Sequence, residues 1–263
     1  MYRFTLNTPQ IMGILNVTPD SFSDGGAYLS PEAAVERAAA IEREGADILD
    51  IGAQSTRPGH APVAPEEELR RLLPVLDALM GRIQIPVSVD TFYPQVAQAA
   101  LARGAVIVND VSGVVSREMA EVVTKFGAGW VLMHHGSGTV AEVRDNLRAM
   151  VDQAMGYGLA KEQLCVDPGI GFGTTREEDR ARLAHTGEIK IEGMAYLVGA
   201  SRKRVTGEGA PPEDRLAGTV AAHTIAQLGG ADILRAHDVA AARQAAEVTK
   251  LCEIQWKIPP ELH

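Results

Sequence analysis

Short apolar runs alternate with helix-like segments along the whole chain, and this alternation restricts the possible folds more than any other feature. The predicted strands are Ile11–Val17, Ala46–Ala53, Pro86–Thr91, Val106–Val111, Trp130–His134, Leu164–Asp167, Tyr196–Ala200 and Ile233–Ala236. The predicted helices between them include Pro31–Glu44, Pro65–Met80, Pro94–Arg103, Arg117–Phe126, Val140–Tyr157 and Asp214–Leu228. Nearly continuous apolar strands are typical of parallel sheets that helices cover on the outside. The pattern predicts an α/β fold, a single (β/α)₈ TIM barrel, with an open doubly wound sheet as the alternative.

Length and composition are consistent with the prediction of a single domain over residues 1–263. The chain is 46% hydrophobic, which is enough for a large core, and its formal charge of -9 argues against a general nucleic-acid binder. Its two cysteines, Cys165 and Cys252, have no metal or disulfide spacing, which fits a reducing compartment. No apolar run approaches the roughly 20 residues of a membrane span. We therefore expect a cytoplasmic protein.

Polar side chains stand at the ends of most predicted strands. In a barrel, the C-terminal strand ends face one mouth, where active sites are built. The residues concerned are Asn16, Asp90, Asn109, Asp110, His134, His135, Asp167, Arg235 and His237. One such residue could be a helix cap, but their repetition favours a mouth that binds a polar ligand.

Asp90, Asn109 and Asp167 predict the shape of that ligand. A carboxylate accepts from paired N–H donors and an amide both donates and accepts, which suits a flat heterocycle with a guanidine-like edge. The alternative is structural: Asp90 caps a helix and Asp167 makes a local turn before Pro168-Gly169. For Asp110 the structural role is the favoured one.

Basic residues cluster after the last two strands, in "GASRKR" and "LRAHDV". The loops after strands 7 and 8 commonly bind phosphate in this fold, so Lys203, Arg235 and His237 predict an anion site. Arg202 or Arg204 could simply be solvated, and Lys203 could alternatively form a Schiff base.

Two loops are longer than connections usually are. The first, "NVTPDSFSDGG" at 16–26, carries Phe22 and Asp24, and the second, "STRPGHAPV" at 55–63, carries Arg57. Arg57 is interpreted as an arm that brings a charge to an anion, although a surface loop with an incidental arginine fits the composition equally well.

At this point the chain resembles the dihydropteroate synthase family over nearly its whole length. The motifs that carry the resemblance are "MGILNVTPDSFSDGG" (12–26), "DIGAQSTRPG" (50–59), "VSVDT" (87–91), "NDVSG" (109–113), "MH" (133–134), "DPGIGFG" (167–173), "GASRKR" (199–204) and "RAHD" (235–238). The resemblance implies a barrel enzyme, expected as a homodimer, that condenses 6-hydroxymethyl-7,8-dihydropterin pyrophosphate with p-aminobenzoate. The products are 7,8-dihydropteroate and pyrophosphate.

The resemblance also implies residue roles. The residues implied to contact the pterin are Asp90, Asn109, Asp167, Lys203, Met133, Phe172 and Arg235. Those implied to contact the pyrophosphate are Asn16, Arg57, Arg235 and His237. Those implied to contact p-aminobenzoate are Thr56, Pro58, Phe172, Ser201 and Phe22. Asn16 is expected to help hold Mg²⁺ on the diphosphate. Asp90, Lys203, Arg235, His237 and Arg57 are expected to be catalytic, and Phe22, Asp24 and Arg57 to close the first two loops over the site.

Three segments depart from the family pattern. Gln54 replaces the usual glutamate of the second loop, Gly173-Thr174 lacks the usual lysine, and Ala184–Glu192 is atypical. Three alternatives stay open: a pterin-dependent methyltransferase domain, a non-catalytic pterin-binding relative and an aldolase that uses Lys203.

Overall fold

The chain folds as a closed barrel of parallel strands. The computed structural model describes residues 1–6, 9–18, 30–54 and 63–256, with side chains up to Cys252. Within these residues the strands are β1 (Gln10–Asn16), β2 (Ile48–Gly52), β3 (Val87–Asp90), β4 (Ile107–Asp110), β5 (Gly129–Met133), β6 (Leu164–Asp167), β7 (Ala195–Val198) and β8 (Ile233–Ala236). Each strand pairs with the next along the chain and β8 pairs with β1, so the TIM barrel is confirmed and the open sheet was the wrong alternative.

Helices surround the barrel, and five of the six predicted helices begin at the predicted residue, while the sixth begins at Leu216 rather than Asp214. In the described part of the chain they are α1 (Pro31–Arg43), α2 (Pro65–Leu79), α3 (Pro94–Leu101), α4 (Arg117–Phe126), α5 (Val140–Gly156), α6 (Arg176–Ala184), α7 (Thr186–Ile189), α8 (Leu216–Leu228) and α9 (Val239–Trp256). A proline in the first turn opens each of the first three, at a position where its missing N–H costs nothing. Thr175 and Glu178 form a capping box at the start of α6.

The segment Ala184–Glu192, atypical for the family, is where two helices meet. Helix α6 ends at Ala184, and the single turn α7 follows from Thr186. Thr186 is buried, and its hydroxyl donates to the carbonyl oxygens of Arg182 and Leu183. The helix is interrupted at this packed corner. Strand β7 begins six residues after the end of α7.

The core has an outer and an inner part, and the inner part decides where a ligand can bind. The inner cluster fills the barrel from its N-terminal end and consists of Phe4, Met12, Ile48, Ile107, Val131, Cys165, Ala195, Leu197 and Ile233. Every one of these is less than 10% exposed. Because this end is packed largely with apolar side chains, a polar ligand is expected to bind at the C-terminal mouth.

The described helices and the two cysteines can be compared with the expectations for membrane spans and thiols. None of the described helices is long and apolar enough to cross a membrane. Cys165 is buried and Cys252 exposed, and both are free thiols. A cytoplasmic location stays a prediction.

Candidate active site

The guanidinium of Arg235, on β8, is the centre of the mouth. Its Nε donates to Oδ2 of Asp50 at 2.7 Å, and its Nη2 donates to Oδ2 of Asp90 at 2.9 Å. Oδ2 of Asp50 also accepts from Nδ2 of Asn109 at 3.0 Å. One cation therefore connects β8 with β2, β3 and, through Asp50, β4.

Burial sets the electrostatics of this network. Asp50, Asp90 and Asn109 are almost completely buried. Desolvation raises the pKa of Asp90 to about 7, although the charge of Arg235 opposes the rise. The Oδ1 atoms of Asp50 and Asp90 are buried and have no hydrogen-bond partner among the described residues. The site thus keeps acceptor atoms that a ligand with N–H groups could satisfy.

Asp167 makes the predicted local turn and still belongs to the mouth. Its Oδ1 accepts from the backbone N–H of Gly169 at 2.7 Å, as the structural alternative required. A β-carbon added at Gly199 would lie 3.9 Å both from Oδ2 of Asp167 and from the side chain of Arg235. The turn fixes one carboxylate oxygen while the other faces the centre of the mouth beside Arg235.

Lys203 is held against the loop that follows β6. Its Nζ donates to the carbonyl oxygen of Ile170 at 2.5 Å and lies 4.3 Å from the centroid of the Phe172 ring. Burial lowers the pKa of Lys203 to about 8, with Asp167 opposing the shift. The hydrogen bond to Ile170 and the contact with the Phe172 ring hold the ammonium group in place, which fits a lysine that binds an anion or a heterocycle.

The loops after β7 and β8 join through Ser201 and His237. The hydroxyl oxygen of Ser201 accepts from the backbone N–H of His237 at 3.1 Å and lies 3.0 Å from its Nδ1. Arg202 makes two hydrogen bonds with the carboxylate of Asp238, of 2.9 and 2.6 Å. The side chain of Asp238 is therefore used in an ion pair.

The remaining predicted contacts divide into described and undescribed residues. Met133 is completely buried at the end of β5, and the Phe172 ring lies 5.9 Å from that of His135. Asp110 accepts from the N–H of Ser112 at 2.9 Å, so its role is structural as favoured, but it forms a local turn and not a helix cap, since Ser116 caps α4. Five predicted residues lie outside the described residues, and their roles stay predictions: Phe22, Asp24, Thr56, Arg57 and Pro58.

Sequence reasoning missed Asp50. It lies inside a predicted apolar strand, where its side chain is completely buried and bonds both Arg235 and Asn109. The available signal was a single acidic residue within the run Ile48–Gly52, because a lone buried carboxylate requires a partner. The local sequence does not identify that partner, because Arg235 lies 185 positions away along the chain.

The described residues can hold a divalent cation only with help from a ligand. No group of three or more His, Cys, Asp or Glu side chains there could bind a metal by itself. Oδ1 of Asn16 would lie 3.7 Å, and Oδ2 of Asp90 3.6 Å, from a β-carbon added at Gly52. These are hard oxygen donors, and Mg²⁺ usually binds through one or two protein oxygens together with substrate phosphates and water. The donor set fits a metal that arrives with a phosphorylated ligand.

Comparison with known proteins agrees with this geometry. Residues 12–237 match the family model described as pterin binding enzyme. A dihydropteroate synthase of Synechocystis sp. is 41% identical over 264 residues, covering 94% of this chain and 90% of the relative. The structure of Xanthomonas albilineans dihydropteroate synthase with 4-aminobenzoic acid superposes with a TM-score of 0.90 at 43% identity, covering 97% of this chain and 96% of the other. The same enzyme in complex with 7,8-dihydropteroate gives 0.88 at 41% identity, with 97% of each chain covered.

The barrel, its acidic and basic mouth and these matches define a class: the chain belongs to the pterin binding enzymes. Within that class it is one of the dihydropteroate synthases, transferases of folate biosynthesis.

The Arg235 network predicts a stability effect at Asp50. Asp50→Asn should lower the free energy of unfolding by about 2 kcal/mol, because the largely buried Arg235 loses one of its two charged acceptors. Urea unfolding at neutral pH measures this change.

Asp47→Asn is the matched control. Asp47 pairs with Arg243 and accepts from the N–H of Ile11 at the opposite end of the barrel, but it is more than one-third exposed. Its loss should stay below about 1 kcal/mol. Equal losses in the two variants would contradict the special role of the Asp50 pair.

Proposed function

We propose that the mouth joins 6-hydroxymethyl-7,8-dihydropterin pyrophosphate to p-aminobenzoate, giving 7,8-dihydropteroate and pyrophosphate. The observation that carries this proposal is the network of Arg235 with Asp50, Asp90 and Asn109, with Asp167 and Lys203 beside it. The buried acceptors match the N–H-rich edge of a pterin. The family match over residues 12–237 supports extending this function to one pterin-binding domain over 1–263.

The reaction is proposed to be dissociative. The bond from the pterin methylene carbon to the diphosphate oxygen breaks first, and its electron pair leaves with the diphosphate. The neutral amine of p-aminobenzoate then forms the new C–N bond, and its extra proton goes to solvent. No strong general base is needed, because an aromatic amine is unprotonated near neutral pH.

Charge placement supports this order of events. Three buried carboxylates, those of Asp50, Asp90 and Asp167, face two cations, Arg235 and Lys203. A mouth with this excess of negative charge stabilises a pterin-methyl cation, and Asp90 is the carboxylate proposed to stabilise that cation most directly. Arg235 carries positive charge into the same site, where it also serves the departing diphosphate.

The loop after β8 and the first two loops are proposed to bind the departing diphosphate and to close over the site. His237 lies two residues before the start of α9, whose first-turn N–H groups favour anions. Asn16 would help hold Mg²⁺ on the diphosphate, where the metal would neutralise charge on the leaving oxygens. Phe22, Asp24 and Arg57 are proposed to close over the reacting groups and exclude water, with Thr56, Pro58, Phe172 and Ser201 around p-aminobenzoate.

Pyrophosphate release tests the proposed reaction. With dihydropterin pyrophosphate, Mg²⁺ and p-aminobenzoate, the purified protein should release pyrophosphate in equal amount to the p-aminobenzoate consumed, and EDTA should suppress the rate. Arg235→Gln should lower kcat about 10²- to 10³-fold, because it removes a charged donor from the reacting centre.

Arg243→Gln is the control, since Arg243 makes its ion pair with Asp47 at the other end of the barrel. It should leave kcat within about twofold of the unchanged protein. Pterin binding without pyrophosphate release would instead identify a non-catalytic relative. Methyl transfer from a methylated folate would identify the methyltransferase alternative.

The pH dependence of kcat/KM follows from two perturbed groups. Asp90, whose pKa is raised to about 7, loses its negative charge as the pH falls through that value. Lys203, whose pKa is lowered to about 8, loses its positive charge as the pH rises through that value. We therefore expect a narrow bell with its maximum between these values when dihydropterin pyrophosphate is varied.

Lys203→Arg separates the two sides of this bell. Since arginine stays protonated, the fall on the alkaline side should disappear in the variant while the acid side is kept, whatever the absolute rate. An unchanged alkaline side would remove Lys203 from the assignment.

A homodimer through the outer helices α8 and α9 is also proposed. These helices expose large apolar side chains, among them Leu216, Ile225, Leu228, Val248 and Leu251. Contiguous exposed apolar surface is typical of protein–protein interfaces.

Light scattering should give twice the 28.0 kDa chain mass for the unchanged protein. Val248→Glu should shift it toward the monomer, because it buries a charge in an apolar interface. Met155→Glu, at a side chain similarly exposed on α5, should remain dimeric. A monomer before any substitution would exclude the proposed interface.

A further inference from the structure

Two charged residues of α6 are buried outside the mouth, and no step of the proposed reaction uses them. Asp179 is 0% exposed and Arg182 is 1% exposed, one helical turn apart. Asp179 lies in the first turn of α6 and Arg182 in its last turn. The other charged residues of this helix are at least partly exposed: Arg176, Glu177, Glu178 and Arg180. Burying a charge is costly unless hydrogen bonds compensate it, so the targets of these side chains indicate what they do.

Arg182 connects the loops that follow β5 and β6. Its Nη1 donates to the carbonyl oxygens of Pro168 and Gly169, at 2.7 and 3.2 Å, and its Nη2 donates to that of Gly136 at 2.7 Å. The rigid fork of a guanidinium is suited to holding two backbone segments at a fixed separation. All of these acceptors are backbone groups of mouth loops.

Asp179 holds the next part of the same loop. Its Oδ1 accepts from the N–H of Gly171 at 2.8 Å and from the hydroxyl of Thr174 at 2.6 Å. These contacts lie on either side of Phe172, whose own carbonyl oxygen accepts from the N–H of Gly136 at 3.0 Å. The backbone that carries Phe172 is therefore fixed on both sides from the outer helix.

A third loop joins the same group of contacts. Nε of Arg204 lies 3.6 Å from Oδ2 of Asp179, and its Nη2 donates to the hydroxyl of Thr174 at 3.3 Å. Arg204 follows Lys203, whose Nζ holds the carbonyl oxygen of Ile170 from inside the mouth. Arg204 thus brings positive charge next to Thr174, the position where the family's usual lysine is missing.

We propose that Asp179 and Arg182 are positioning residues, which set the place of the Phe172 ring and thereby the binding of p-aminobenzoate. The inference rests on the proposed role of Phe172. Phe172 is expected to contact both substrates, but the pterin is also expected to be held by Asp90 and Asn109, whose hydrogen bonds do not involve the pair. Loss of the pair's contacts should therefore affect p-aminobenzoate more than the pterin.

The test compares two substitutions at one position. Asp179→Ala removes both hydrogen bonds to the loop, whereas Asp179→Asn keeps an acceptor oxygen for Gly171 and Thr174 and loses only the charge. Asp179→Ala should raise the KM for p-aminobenzoate about five- to tenfold, as expected for two lost hydrogen bonds. The KM for dihydropterin pyrophosphate should change less than about twofold, and Asp179→Asn should restore most of the loss.

Glu177→Ala is the matched control on the same helix, since the Glu177 side chain is 79% exposed. It should leave both KM values unchanged. Equal effects of Asp179→Ala and Asp179→Asn would overturn the inference, because charge rather than loop geometry would then be responsible. Equal rises in both KM values would overturn it as well.

Hydrogen exchange keeps this test separate from the proposed reaction. The amide of Gly171 is bonded to Asp179, so Asp179→Ala should speed exchange across residues 168–175 at least about tenfold, while Asp179→Asn should not. This readout needs no turnover, so it tests the α6 contacts even if the unchanged protein releases no pyrophosphate. Unchanged exchange in Asp179→Ala would overturn the inference directly.

Discussion

The placement of one largely buried arginine determines the character of the barrel mouth. Arg235 could not lie in the interior without acceptors, and it finds them on β2 and β3, beyond the neighbouring strand β1. Asn109 of β4 joins through Asp50. Because each partner has hydrogen bonds to lose, the network fixes side-chain positions across half of the barrel before any ligand is present. Such preorganisation lowers the cost of arranging charges during a reaction.

Burial in this network also tunes the reactive groups. The pKa of Asp90 rises and that of Lys203 falls because desolvation acts on both, while Arg235 and Asp167 oppose the two shifts. The pKa values of Asp90 and Lys203 approach each other near neutral pH, where small changes in environment decide whether each side chain is charged. A site with more carboxylates than cations stabilises a transient cation, which accords with departure of diphosphate before attack by the amine.

Two kinds of contact fix the described part of the mouth. Inside the barrel, ion pairs join strand ends directly. Outside it, Asp179 and Arg182 of α6 hold the backbone of the loops after β5 and β6. The first is proposed to set the atoms that face the pterin, and the second to set the Phe172 ring. Separate control of the two halves would allow a second substrate to be selected without disturbing the first.

The sequence by itself determined the barrel, the order of its elements and the location of the polar strand ends. Local periodicity, first-turn prolines and capping residues act over a few positions, so they can be read directly, as at Ser30-Pro31 and Thr175. The resemblance carried by the motifs added the chemistry. The tertiary structure alone decided that Asp50 is the partner of Arg235 and that Arg182 reaches Gly136, because these contacts join positions 185 and 46 residues apart. Burial decides the strength of a charge and the direction of its pKa shift, and burial arises only when distant segments pack together.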